Sequence, residues 1–200
     1  MTDARATRPR IVLASGSARR RELLAAAGLL VDVDPANVDE SVHPGETPAA
    51  YVERVAIAKA TTGARRHPDA AVLGGDTTVV VDGDIFAKPE DDNDARRMLE
   101  RLSGRPHDVL TGVALAWRGA LHARVEKTRV WFRPLSTDEI AWYVASGEPR
   151  DRAGAYAIQG LASRFIPRID GSYTNVVGLP VTIVLALLED AGIEFGVHSA

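Results

Sequence analysis

Cysteine is absent from the sequence, which excludes disulfides, thiol nucleophiles, iron–sulfur clusters and cysteine-ligated zinc. Aromatic residues make up only 6%. The longest apolar run, Leu179 to Leu188, is interrupted by Pro180 and Thr182 and is about half the length needed to cross a bilayer. Neither charge sign dominates: 24 Lys+Arg stand against 27 Asp+Glu, a formal net charge of -3. A global basic field of the kind that holds nucleic acid or an anionic membrane is therefore missing. The first residues, MTDARATRPR, are basic but pass into too short an apolar stretch for a secretion signal. The expectation is a soluble, cytoplasmic chain with neither nucleic acid nor membrane as its partner. The 200 residues and 46% hydrophobic content suffice for one domain or two small lobes.

Met1–Pro9 reads as a disordered tail and residues 10–200 as a single domain. Arg10–Ala14 is a short apolar strand that runs through Ser15-Gly16-Ser17 into a helix stopped by Gly28. A strand at Val31–Val33 follows. Thr47-Pro48 caps and starts a second helix, which ends near Arg66. Ala71–Gly75 reads as a buried strand, and Thr78–Val81 turns through Asp82-Gly83 into Ile85-Phe86 as a hairpin. Asp91–Asn93 caps a helix through Leu102, and Val109–Trp117 and Leu121–Phe132 form a second antiparallel pair. Ser136 and Glu139 make a capping box for another helix. Short strands are expected at Ala155–Ile158 and Phe165–Ile169, and a last helix from Pro180 to Gly192. Such interleaving predicts an α/β fold: a mixed central sheet flanked by helices, with two lobes around a cleft.

Four features carry chemistry. Ser15 to Arg20 brings two hydroxyls, free backbone N–H groups and guanidinium groups to a helix N-terminus, an arrangement suited to an anion, although Arg19, Arg20 and Arg21 could equally form a solvated face. It matches neither GxxxxGK[ST] nor GxGxxG. Gly74-Gly75-Asp76-Thr77 sets a carboxylate at what reads as a strand end, where either catalysis or an Asx turn would explain it. Asp39 and Glu40 add carboxylates of the kind that suit Mg or Mn, whereas the five histidines are scattered without ligand spacing. Lys59 and Lys88 are surface lysines by pattern, or neutralisers of an oligophosphate if the fold gathers them with Arg19 and Arg20. Gln159, between an apolar stretch and Gly160, can read a base edge or close a strand, and His107 is expected to be structural.

Taken in order, LASGSARRRELL (Leu13–Leu24), GGDTTV (Gly74–Val79), AKP (Ala87–Pro89), SGRPHDVLTG (Ser103–Gly112), DRAGAYAIQG (Asp151–Gly160) and IDGSYTNVVGLP (Ile169–Pro180) resemble the Maf family of nucleoside triphosphate pyrophosphatases. The resemblance implies an inosine triphosphate pyrophosphatase-like fold and hydrolysis of a nucleoside triphosphate to the monophosphate and pyrophosphate, with a divalent cation, Mg or Mn, as cofactor. It also implies a role in keeping non-canonical nucleotides out of nucleic acids. Asp76 matches the family's proton acceptor; Ser15, Arg19, Arg20, Glu40, Lys59 and Lys88 match its phosphate and metal region, with Glu40 and Asp76 as metal ligands. Arg19, Thr77 and Gln159 match positions tied to base selection, and Asp76-Thr77 resembles the branch acting on dTTP and UTP. Ala18, Gly75 and Arg152 depart from the family's frequent proline, alanine and lysine. The family is also linked to septum formation, so a non-catalytic nucleotide-binding regulator of division is the alternative, and a homodimer is left open.

Overall fold

A computed structural model describes residues 9–195 of the chain. The expected tail, Pro9 apart, and residues 196–200 lie outside the described residues. Three strands run parallel at one side of the sheet: β1 (Ile11–Leu13) lies between β2 (Asp32–Val33) and β3 (Ala71–Val81). The rest is antiparallel. β4 (Asp84–Phe86) folds back on the end of β3, and β5 (Pro106–Trp117), β6 (Ala120–Trp131) and β7 (Arg168–Asp170) extend the sheet in the order β2-β1-β3-β5-β6-β7. The mixed sheet is as expected.

Six helices complete the chain among the described residues: α1 (Ala18–Ala26), α2 (Pro48–Arg66), α3 (Asp92–Leu102), α4 (Thr137–Ala145), α5 (Tyr173–Val177) and α6 (Val181–Asp190). The caps work as their sequences dictate. Thr47 accepts from Ala50 N, Asp91 from Asp94 N, and Ser136 with Glu139 closes a reciprocal box. The final helix begins one residue later than expected, with Pro180 as its cap.

Two expected strands are corrected. Residues Ala153–Ala155 and Leu161–Phe165 are single 3₁₀ turns, Tyr156–Ile158 is irregular, and the strand starts only at Arg168. Gly154 and Ala155 have φ of 66° and 60°, a left-handed conformation that no extended strand can contain. The strand end expected at Gly75 is also absent. β3 runs unbroken because β5 pairs with it from Val72 to Val80, which holds one edge of the strand where the other has no neighbour.

That second edge positions the site. β1 accompanies β3 from Ala71 to Leu73, and β4 takes over only at Val79. Ala14 N donates to Leu73 O, so alternation points the N–H and C=O of Gly75 and Thr77 into the gap between them.

Side chains alternate too. Even positions of β3 face α2: Val72 joins Ala14, Val80 packs beside Val52 and Val55, and Gly74 lies under Ala56 and Ala60. Odd positions face the other way and divide between two large apolar clusters. One contains Val79, Val81, Leu99, Tyr143 and Phe165; the other contains Ala71, Leu73, Leu24, Leu179 and Leu188. Leu23 packs against both clusters.

Candidate active site

α2 lies unusually close to the sheet. A Cβ on Gly74 would sit 2.2 Å from Ala56 O, and one on Gly112 would sit 2.2 Å from Val52 O. The two glycines let the helix backbone down onto β3 and β5, and Lys59, on the same helix, thereby reaches the even face of β3. Its Nζ donates to Asp76 Oδ1 at 2.9 Å and lies 2.9 Å from Glu40 Oε1. Lys59 and Asp76 are buried, whereas the Glu40 side chain keeps 52% of its surface exposed. A lysine that reads as a surface residue is thus a buried hub joining a buried carboxylate, Asp76, to a half-exposed one, Glu40.

Glu40 arrives on a loop that α2 also fixes. Tyr51 donates its hydroxyl to Glu40 O at 3.1 Å, while Arg54 donates to Asp39 O, to Ser41 O and, through two nitrogens, to the Glu46 carboxylate. That pairing and the His43 N–H hold the Glu46 carboxyl down at about 2. Burial, with the charges of Asp76 and Glu40, pushes the Tyr51 hydroxyl up to about 12. Tyr51 and Arg54 were not identified from sequence. Their signal was the three-residue spacing on α2, opposite the acidic stretch Asp39 to Glu46.

On the odd face, Thr77 meets α1 and the end of α5. Arg20 is 8% exposed and donates through Nε to Gly178 O, through Nη1 to Ser15 Oγ and through Nη2 to Thr77 Oγ1. Three of its five donors are therefore engaged. Thr77 Oγ1 also bonds to Thr111 Oγ1 at 2.9 Å and Gly178 O at 3.1 Å, as a closely approached, non-hydrogen-bonded strand pair allows. Burial lowers the Arg20 pKa, opposed by the Asp76 charge. Gly75 departs from the resembled pattern at no cost in shape, since an added Cβ would meet its nearest neighbours at 3.5 Å or more.

Because β3 has an open edge, a single cleft of ≈ 790 Å³ reaches both faces. It is lined by Ser15, Arg19, Arg20, Glu40, Lys59, Asp76, Thr77, Lys88 and Gln159, so the structure gathers the candidate site residues except Asp39, whose carboxylate accepts from Ser41 N instead. Lys88 pairs with Asp151 at the exposed rim, and Arg19 Nη2 donates to Asp151 O at 3.5 Å. Burial lowers the Arg19 pKa against the pull of Asp151 and Glu22. Arg152, a residue noted only as a departure, lines the cleft with its Nε buried and unpartnered among the described residues. Gln159 stands exposed on the wall.

Chemically, this is an α/β cleft with two carboxylates and a buried ammonium at its floor, cationic side chains on its walls and an amide at its side, a site built for a polyanion with a hydrogen-bonding head. The chain belongs to the Maf family: the family described as Maf-like protein matches residues 10–191. It is 52% identical over 183 residues to a dTTP/UTP pyrophosphatase of Myxococcus xanthus, covering 92% of this chain and 93% of that protein. With a dTTP/UTP pyrophosphatase of Hahella chejuensis it shares 50% identity over 197 residues, 97% of this chain and 98% of the relative. Among solved structures, the Staphylococcus aureus Ham1 protein superposes with a TM-score of 0.55 at 14% identity, over 91% of this chain and 99% of that one. That likeness supports the fold. No helix among the described residues is long and apolar enough to cross a membrane.

Proposed function

We propose that the protein hydrolyses nucleoside triphosphates between the α- and β-phosphates, releasing the monophosphate and pyrophosphate, and that it prefers dTTP and UTP. The observation that carries this reading is the seating of Asp76 and Glu40 on one buried ammonium, at the floor of a cleft whose walls hold Arg19, Arg20 and Lys88. The preference is supported by the names of relatives at half identity and by the exposed amide of Gln159.

In this reading, Lys59, Lys88 and Arg19 hold the phosphates and offset the negative charge that builds on the leaving pyrophosphate. Arg20 acts from below by fixing Ser15, Thr77 and Gly178 O, and its buried charge adds to the field. Asp76 orients the attacking water and accepts its proton. Thr77 shapes the base end rather than reading it, since its hydroxyl is engaged within the protein. Gln159 offers a donor and an acceptor to the base edge.

Glu40 and Asp76 would hold a divalent cation such as Mg or Mn. Their oxygens are hard donors brought within reach of one ammonium, and no group of three or more potential metal-ligating side chains exists among the described residues, so phosphate oxygens and water would complete the ligand set. When bound, such an ion supplies charge neutralisation of the phosphates and polarisation of water. A non-catalytic nucleotide-binding regulator of division is disfavoured, because a module that only binds a polyanion gains nothing from a buried carboxylate facing it. Hydrolysis of dTTP in ¹⁸O-water is the test. Label in thymidine monophosphate, with unlabelled pyrophosphate and no orthophosphate, supports the reading; label in pyrophosphate overturns the leaving-group role given to Lys59, Lys88 and Arg19, and thymidine diphosphate with orthophosphate as first products overturns the reaction.

A further inference from the structure

Gln159 lies on a turn whose two ends are tied to one point. The turn closes through Gly160 N donating to Ala157 O at 3.0 Å, which puts Gln159 at its third position. Ala157 N, just before it, donates to the Tyr143 hydroxyl at 3.3 Å. Leu161 N and Ala162 N, just after it, donate to the two Glu148 oxygens at 2.8 and 3.2 Å. The circuit is closed by the Tyr143 hydroxyl, which donates to Glu148 Oε1 at 2.8 Å.

The circuit is set into the core. Tyr143 is fully buried and packs edge-on against Phe165, with ring centroids 5.4 Å apart. Glu148 presses so closely on the turn that a Cβ at Gly160 would fall 2.2 Å from its Oε2. A side chain at 160 would have to push that carboxylate off the turn. Neither Tyr143 nor Glu148 lines the cleft, so neither contacts a nucleotide bound there.

We propose that Tyr143 and Glu148 are positioning residues for base selection, a clamp that holds the Gln159 amide at the angle from which it discriminates one base from another. This rests on the reading of Gln159 given above. A carboxylate bonded to two successive N–H groups and a phenol bonded on the other side fix both ends of the turn, leaving the amide few orientations in which to meet a base. Loosening the clamp should let Gln159 satisfy a wrong base nearly as well as the right one, eroding selectivity while the phosphate machinery stays intact.

The experiment compares kcat/KM for dTTP and dGTP in wild type, Tyr143→Phe and Glu148→Gln, each also in a Gln159→Ala background. Either clamp variant is expected to lower the dTTP:dGTP ratio by about fivefold or more, while changing kcat for dTTP by no more than about twofold. In the Gln159→Ala background the same substitutions should change the ratio by less than about twofold, because the group they orient is gone. Equal slowing of both nucleotides, or an undiminished effect without Gln159, overturns the proposal. Affinities for both nucleotides measured without metal give a second, binding-only selectivity ratio that the clamp variants should also lower, so the clamp is tested even where cleavage is not observed. If Gln159→Ala leaves both ratios unchanged while pyrophosphate is still released, the clamp proposal fails and the assigned reaction stands. Amide exchange across residues 157–162 should quicken in Tyr143→Phe relative to the rest of the fold, and unchanged protection there would also overturn it.

Discussion

Lys59 and Asp76 form a buried ion pair in which Nζ stands 2.9 Å from Oδ1, and Glu40 is drawn to the same nitrogen. The ammonium lies where two carboxylates need a positive charge between them. Lys59→Met removes it and leaves Asp76 buried and unpaired, a change expected to cost about 3–5 kcal/mol of stability. Magnesium or manganese should restore part of that loss by taking over the neutralising role. Thermal melts with and without metal check this: the rise in Tm on adding metal should be larger for the variant than for wild type, and equal shifts would contradict it.

Asp76→Asn retains size and a hydrogen-bonding oxygen but removes the charge. Turnover should fall about 100- to 10,000-fold through loss of proton acceptance. Nucleotide affinity measured without metal should hold or tighten, because one negative charge beside the phosphates has gone. Lys88→Ala should weaken binding and turnover together, since its attraction acts before and during reaction. Single-turnover rates and titrations of both variants distinguish these patterns. An Asp76→Asn protein with near-normal turnover would transfer the role to Glu40.

Gly112→Ala tests the close approach of α2. Its methyl group would have to occupy space 2.2 Å from Val52 O, and only a shift of the helix can relieve a backbone contact. Overpacking of this kind costs about 1–3 kcal/mol. The same shift should carry Lys59 away from Asp76, so kcat should drop at temperatures where the variant is still fully folded. Gly75→Ala is the control, with room for the methyl, and should behave nearly as wild type in both assays.

His107 lies buried between Phe132 and Tyr156 and bonds to the Tyr156 hydroxyl at 2.9 Å. Burial pushes its pKa from 6.5 down to about 3. The unfolded chain therefore binds a proton between those values that the folded chain refuses. The associated stability is complete above pH 6.5 and is lost as pH falls toward 3, at up to about 1.4 kcal/mol per pH unit. Carboxylates held low by partners, such as Glu46 and Glu139, also lose stability in acid, but mainly below their ordinary range. Comparing wild type with His107→Gln by denaturant unfolding between pH 4 and 7 isolates the histidine, and the variant should show the shallower decline.

Much of the scaffold was legible in the sequence because caps and periodicity act locally. Ser136 with Glu139 and Asp82-Gly83 each announce their structure within a few residues. The segment from Asp151 to Phe165 was misread because its apolar residues resemble a strand, while its path is set by Gly154 against Val79 and by Glu148 beneath Gly160, contacts between distant positions. The site residues were found through motif resemblance, and their types suggested anion and metal chemistry. What spacing could not supply was the burial of Lys59 on α2, which depends on glycines of β3 and β5, or the break in the edge of β3, which depends on where β1 stops and β4 begins.

The pairing of Lys88 with Asp151 and of Lys59 with Asp76 and Glu40 also bears on how a nucleotide arrives. These ammonium groups project little field beyond the cleft, because their charge is already answered a few ångströms away. Arg19, Arg20 and Arg152 have no carboxylate within ion-pairing distance among the described residues, and Arg19 and Arg152, the less buried of the three, would make first contact. On the proposed reading, capture starts at these guanidinium groups and is completed by exchange of partners inside the cleft, so the association rate should fall as ionic strength rises. On the same reading, residence would be set by whether phosphates displace the internal carboxylates and the base satisfies Gln159.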